Sequence, residues 1–161
     1  ANENEAVRRM LVGLGSLSRG ELAGERLEVA LASQDQEDEH SCFSDNTHRD
    51  VIANATGIQN VWLGRYKHAN GTMLEGPSLK DLVASKNPEL AAKTSNQIAA
   101  AIAAANAIQP PFDQEIRGDN NAPGRKRVQA AIDALKQQSR NLVESANAIG
   151  VTKLTLVDPG K

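Results

Sequence analysis

Only four of the 161 residues are aromatic: Phe43, Trp62, Tyr66 and Phe112. That scarcity constrains the fold more than any other feature. The buried volume has to come from Leu, Ile, Val and a large supply of Ala. Ala is the best helix former and lets helix axes approach closely, so the composition points to tight helix-on-helix packing.

Apolar periodicity supports this along most of the chain. The first helix is expected from about Glu5 to Ser33. Val7, Leu11, Leu14 and Leu17 lie at helical spacing, and Leu22, Val29 with Leu27, Leu31 continue as two adjacent stripes. Gly13, Gly15, Gly20 and Gly24 either permit close backbone contact or break this helix near Ser16–Gly20. Arg26, with Glu25 beside it, falls on the inward side between Leu22 and Val29. It reads either as a snorkelling side chain or as part of a ligand pair, because burying one charge alone is costly.

A second helix is expected from Asp45 to Leu63, with Ser44 or Asp45 as N-cap, Gly64 as stop, and Ile52, Ala55, Ile58 or Gln59, and Trp62 on its buried stripe. Asn70-Gly71 is the preferred type I′ pair and predicts a small hairpin in the Arg65–Leu74 connection. Ser78 and Asp81 cap a short helix ending near Lys86. Asn87-Pro88 opens an Ala-rich helix to about Ile108, with Ile98, Ile102 and Ala105 on one face. Pro110-Pro111 ends it. Pro123 opens a last long helix carrying Val128, Ile132, Leu135, Leu142, Ala146 and Ile149, and Gly150 closes it. Residues 151–161 read as a tail. Four long helices with short links make an all-α, antiparallel four-helix bundle the expected architecture, with residues 1–161 as one domain.

The net charge of −2 is spread along the chain, and the sole basic cluster, Arg125-Lys126-Arg127, reads as a solvated helix end. Neither feature offers the basic face that nucleic-acid binding needs. No apolar run approaches the ~18 residues of a membrane span. The lone Cys42 excludes an intramolecular disulfide and reads as a half-buried small residue.

Chemistry concentrates at one junction. Asp35 to Asp50 packs six carboxylates and two of the three histidines into sixteen residues between two helices. Oxygen and imidazole donors crowded together are what a hard or borderline metal ion requires. If the second helix includes Asp45, then Asp45 and His48 share a face, and Glu37, Glu39 and His40 lie one connection earlier. The opposing reading is a solvated loop and a capped helix, since Ser44-Asp45-Asn46-Thr47 is a run of cap formers. No phosphate-binding glycine loop, serine-nucleophile elbow or His-Glu-x-x-His occurs.

Gly20-Glu21-Leu22-Ala23-Gly24-Glu25-Arg26, the run from Asp35 to His48, Gly57-Ile58-Gln59-Asn60 before Gly64-Arg65-Tyr66, and Pro111-Phe112-Asp113 together resemble the imelysin family. The resemblance implies a helical cell-envelope protein, periplasmic or outer-membrane-attached, linked to iron acquisition. Family members are similar to two related bundles with a site in the cleft between them, and this chain resembles the second half. The family's Gly-x-His-x-x-Glu motif belongs to the first half, and none of His40, His48 or His68 has Glu three places on. The implied partner is therefore that first half, as a separate piece if the protein is cut. The residues implied to line the cleft are Glu25, Arg26, Ser44, Asp45, Asn46 and His48. The possible cofactor is an iron or zinc ion held by Asp45, His48, Glu37, Glu39 and His40. A binding component of iron uptake is the leading expectation. A metallopeptidase ranks below it, because this chain lacks the His-x-x-Glu that would hold a metal beside a general base. A helical interaction module without metal is the third.

Overall fold

In the computed structural model, residues 3–152 are described, and the expected tail lies almost wholly outside them. The protein is predominantly helical with one two-stranded antiparallel hairpin. The first long helix comprises α1 (Glu3–Ser16), a π-helical segment (Leu17–Glu28) and α2 (Val29–Ser33). The glycines thus neither break it nor leave it α-helical. Hydrogen bonds widen to i→i−5, as in Val29 N–H to the Gly24 carbonyl. Gln34, in the left-handed region, ends it.

A 3₁₀ turn (Gln36–Asp38) and an irregular connection lead to α3 (Thr47–Leu63), β1 (Arg65–Lys67), β2 (Met73–Glu75), α4 (Leu79–Ala84), α5 (Pro88–Ala107), α6 (Phe112–Glu115) and α7 (Pro123–Ala148). The expected caps of α4 and α5 form. Ser78 Oγ accepts from Asp81 N–H at 2.9 Å, and Asn87 Oδ1 accepts from Leu90 N–H at 3.0 Å. Gly64 stops α3 at φ +60, where a Cβ would come within 2.6 Å of the Pro77 carbonyl oxygen.

The hairpin turn departs from the expected type I′. Only Gly71 is left-handed, His68 O accepts from Gly71 N–H, and His68 N–H bonds to Thr72 O. This is a three-residue loop, a type I turn closed by a left-handed glycine.

Packing centres on α7. It runs antiparallel to α5, with a Lys93–Glu144 ion pair, a Thr94–Ser145 hydroxyl bond and Gln97 donating to Ala134 O. It also runs antiparallel to the first helix, where Ser18 Oγ donates to Leu135 O and Ser139 Oγ to Gly15 O. α3 lies against α5, and buried Trp62 donates from Nε1 to Ser95 Oγ at 2.9 Å. The core is aliphatic as expected, with Leu22, Leu27, Ile58, Ile98, Ile132 and Leu135 fully buried.

Two stripes are rephased. Val29 is half-exposed because the widened turn rotates it out, and Val51 rather than Ile52 is the fully buried residue early in α3. The basic cluster is a structural staple instead of a solvated end. Arg125 Nη1 donates to the carbonyls of Leu31 (2.7 Å) and Ile116 (2.6 Å), and Arg127 forms a forked pair with buried Glu115. Gly124 lets the two segments meet, since a Cβ there would lie 2.7 Å from the Glu115 Cα. Among the described residues no helix is long and apolar enough to cross a membrane.

Candidate functional site

The connection from Asp35 to Asn46 is held by short-range polar bonds rather than by regular structure. Asp35 caps the 3₁₀ turn by accepting from Glu37 N–H at 3.0 Å, which leaves the Glu37 side chain exposed. Glu39 turns inward and is only 6% exposed. Its Oε2 accepts from Thr47 Oγ1 at 2.9 Å, and that same hydroxyl oxygen accepts from Ser41 N–H. Its Oε1 is buried without a hydrogen-bond partner. Burial pushes the Glu39 carboxyl above the ordinary carboxylate range. The Thr47 bond opposes that shift, and the nearby charges of Asp113 and Asp45 add to it.

The rest of the connection faces outward. His40, Ser44, Asp45 and Asn46 are exposed, and Phe43 is 99% exposed. Asp45 sits at φ +49, two residues before the helix, and accepts from Gln36 Nε2 at 3.1 Å. It is therefore not on the α3 face with His48, as the expected helix start would have placed it. Asn46 occupies the N-cap position without a side-chain cap, and its amide instead donates to Asp50 Oδ1 at 3.2 Å. Ser41 Oγ donates to the other Asp50 oxygen. His48, in the first turn of α3, is half-buried, and its Nδ1 is buried without a partner.

Glu25 and Arg26 lie elsewhere, on the π segment. Glu25 is exposed. Arg26 pairs with Glu21 at 3.0 Å, five residues away and one widened turn back, so the expected Glu25–Arg26 partnership does not form.

The structure thus joins Glu39 with Thr47 and Ser41, and Ser41 with Asp50 and Asn46, while leaving Glu37, His40 and Asp45 on the outside. Among the described residues no group of three or more His, Cys, Asp or Glu side chains is placed to hold a metal ion. Four participants are not among the candidate residues that the sequence offers: Ser41, Thr47, Asp50 and Asp113. Thr47 read as one more cap former. Asp113 lies 74 residues from Glu39 in the sequence (113 − 39), so no local spacing signals the pair.

A predominantly helical protein with its polar chemistry on one interhelical connection is the class that fold and site define. The chain belongs to the imelysin family, whose sequence profile matches residues 1–142. No curated protein matches the chain.

Proposed function

We propose that this chain is a non-enzymatic binding component of iron acquisition in the cell envelope, periplasmic or outer-membrane-attached. In this reading it contributes part of a site for a metal ion, iron or zinc, or for a small iron-related ligand. The carrying observation is Glu39: a buried carboxylate with one oxygen unpaired is costly unless something completes it. His48 Nδ1, likewise unpaired, is the second donor, in the helix turn that follows the connection, and Asp45, Glu37 and His40 are the exposed donors of the connection itself. These residues fit one part of a coordination sphere and not a whole one. The remaining donors come from a second bundle bearing Gly-x-His-x-x-Glu, and fully exposed Phe43 marks where that bundle packs. The peptidase reading is the weaker alternative, because no group of three metal-ligating side chains is assembled among the described residues to activate a water.

Metal analysis of the natively purified chain, alone and mixed with a polypeptide carrying Gly-x-His-x-x-Glu, tests this. Stoichiometric iron or zinc is expected in the mixture alone and should be lost in Glu39→Gln and His48→Ala. Metal-free mixtures, or uptake indifferent to both substitutions, would leave the connection as a solvated loop.

A further inference from the structure

A different face of α3 carries a second feature. The backbone hydrogen bonds fix the phase of the hairpin: Gly76 N–H bonds to Gly64 O and His68 N–H to Thr72 O, with Tyr66 opposite Leu74. In an antiparallel pair, bonded and non-bonded positions alternate, so Arg65 and Lys67 send their N–H and C=O groups away from β2. With only two strands in the sheet, this leaves β1 an open edge.

Beside β1 lies a groove of about 560 Å³, lined among others by Arg49, Ile52, Thr56, Asn60, Tyr66 and Lys67. Asn60 and Tyr66 also wall a second hollow of about 480 Å³, under the hairpin, with Val61 and Leu74. The two spaces therefore adjoin, spanning about 18 Å of α3 from Arg49 to Val61 at 1.5 Å per residue.

Their chemistry differs. At the hairpin end, Val61, Tyr66 and Leu74 are 42%, 51% and 61% exposed, an apolar cluster open to solvent. Farther along stands Arg49, and beside Tyr66 on β1 stands Lys67, neither of which has an ion pair among the described residues. Two carboxylates line the joined spaces: Asp50, already bonded by Ser41 and Asn46, and Glu75, which stands opposite Arg65 across the hairpin.

We propose that this groove binds an extended acidic peptide segment of another protein, paired by its main chain to the free edge of β1. An apolar side chain of the segment fills the Val61–Tyr66–Leu74 hollow, and its carboxylates meet Arg49 and Lys67. Each element answers one feature: an open edge takes a strand, a hollow takes an anchor, and unpaired cations select acidic side chains. The length exceeds what a compact small molecule needs. The groove begins at Asn46 and Asp50, where the Glu39 connection ends, and its peptide binding stands whether or not that connection holds a metal.

The test uses the full 161-residue chain and a fluorescently labelled heptapeptide, acetyl-Glu-Val-Asp-Leu-Glu-Val-Asp-amide, by anisotropy, with amide shifts followed by NMR. Binding should shift the amides of Arg65 and Lys67. Affinity should fall at least tenfold in Arg49→Glu/Lys67→Glu, and to the same degree for a peptide N-methylated at alternate residues, which leaves the protein untouched. A Lys-for-acid peptide should not bind. The proposal is overturned if the acidic peptide fails to bind at millimolar concentration. It is equally overturned if N-methylation has no effect, or if polyglutamate without apolar residues binds as well, which would reduce the face to a plain cation patch.

Discussion

The α7 interface and the Asp35–Asn46 connection solve the same problem in opposite ways. Both carry polar groups into poorly solvated places. Along α7 most of these groups meet partners: Ser139 on the Gly15 carbonyl, Ser18 on Leu135, Thr94 on Ser145, Arg127 on Glu115, although Arg125 Nε and Gln138 Oε1 are buried without one. In the connection, the Glu39 and His48 atoms do not. A buried polar atom that is matched contributes modestly to stability, whereas one left bare costs the whole of its desolvation. Both regions therefore carry some uncompensated desolvation, but in the first it is set among many matched bonds, and in the second it falls on the Glu39 carboxyl and the His48 ring.

Substitutions should separate the two regions by size and sign. Trp62→Ala removes the largest buried side chain together with its bond to Ser95, and is expected to cost about 3–5 kcal/mol in urea unfolding. Arg127→Ala strips the partner from Glu115, whose carboxyl the guanidinium holds below the ordinary carboxylate range. Arg127 is partly exposed and solvent screens the pair, so the expected loss at neutral pH is smaller than that of Trp62→Ala. The pH dependence has a definite sign. A carboxylate with a lowered folded pKa stabilises above its unfolded pKa, and that contribution disappears as pH falls through the folded value. The wild type should thus lose stability steeply in acid and the variant less so.

Glu39→Gln should run the other way. Its folded pKa is raised, so the penalty of ionising it in place grows as pH rises. The variant is expected to be more stable than wild type at neutral pH, by on the order of 1 kcal/mol, and to lose that advantage in acid, as thermal melts across pH would show. A destabilised Glu39→Gln at neutral pH would break the comparison, placing the connection with the matched region. Phe43→Ser should move stability by less than about 0.5 kcal/mol, since the ring touches solvent alone. A larger change in denaturant midpoint would mean that the ring packs within this chain.

Much of the helical pattern was legible because it is local. The caps at Ser78 and Asn87, the prolines opening α5 and α7, and the stops at Gly64 and Gly150 each act within a turn or two of themselves. What failed was longer in range or finer in phase. Arg125-Lys126-Arg127 looks solvated until α2 and α6 arrive with carbonyls and a carboxylate, and no spacing announces that meeting. Four-residue α6 is too short to show a period. Of the site, the sequence located the connection, yet misjudged its interior. Asp45 was counted into a helix that begins two residues later, and Glu39, one acid among six, is distinguished only by the direction it faces.

The widened segment at Leu17–Glu28 has a consequence beyond its own turns. In an α-helix each residue advances the azimuth by about 100°. An i→i+5 stretch takes up residues that an i→i+4 stretch would spend on rotation, so the segment acts as a phase adjuster for everything after it. Removing one residue between 17 and 28 would swing α2 about its axis. The Leu31 carbonyl would turn away from Arg125, and the acidic connection would leave the helix pointing at a different neighbour. The aim of that connection is therefore set by a count of residues well upstream of it, none of which belongs to the connection itself.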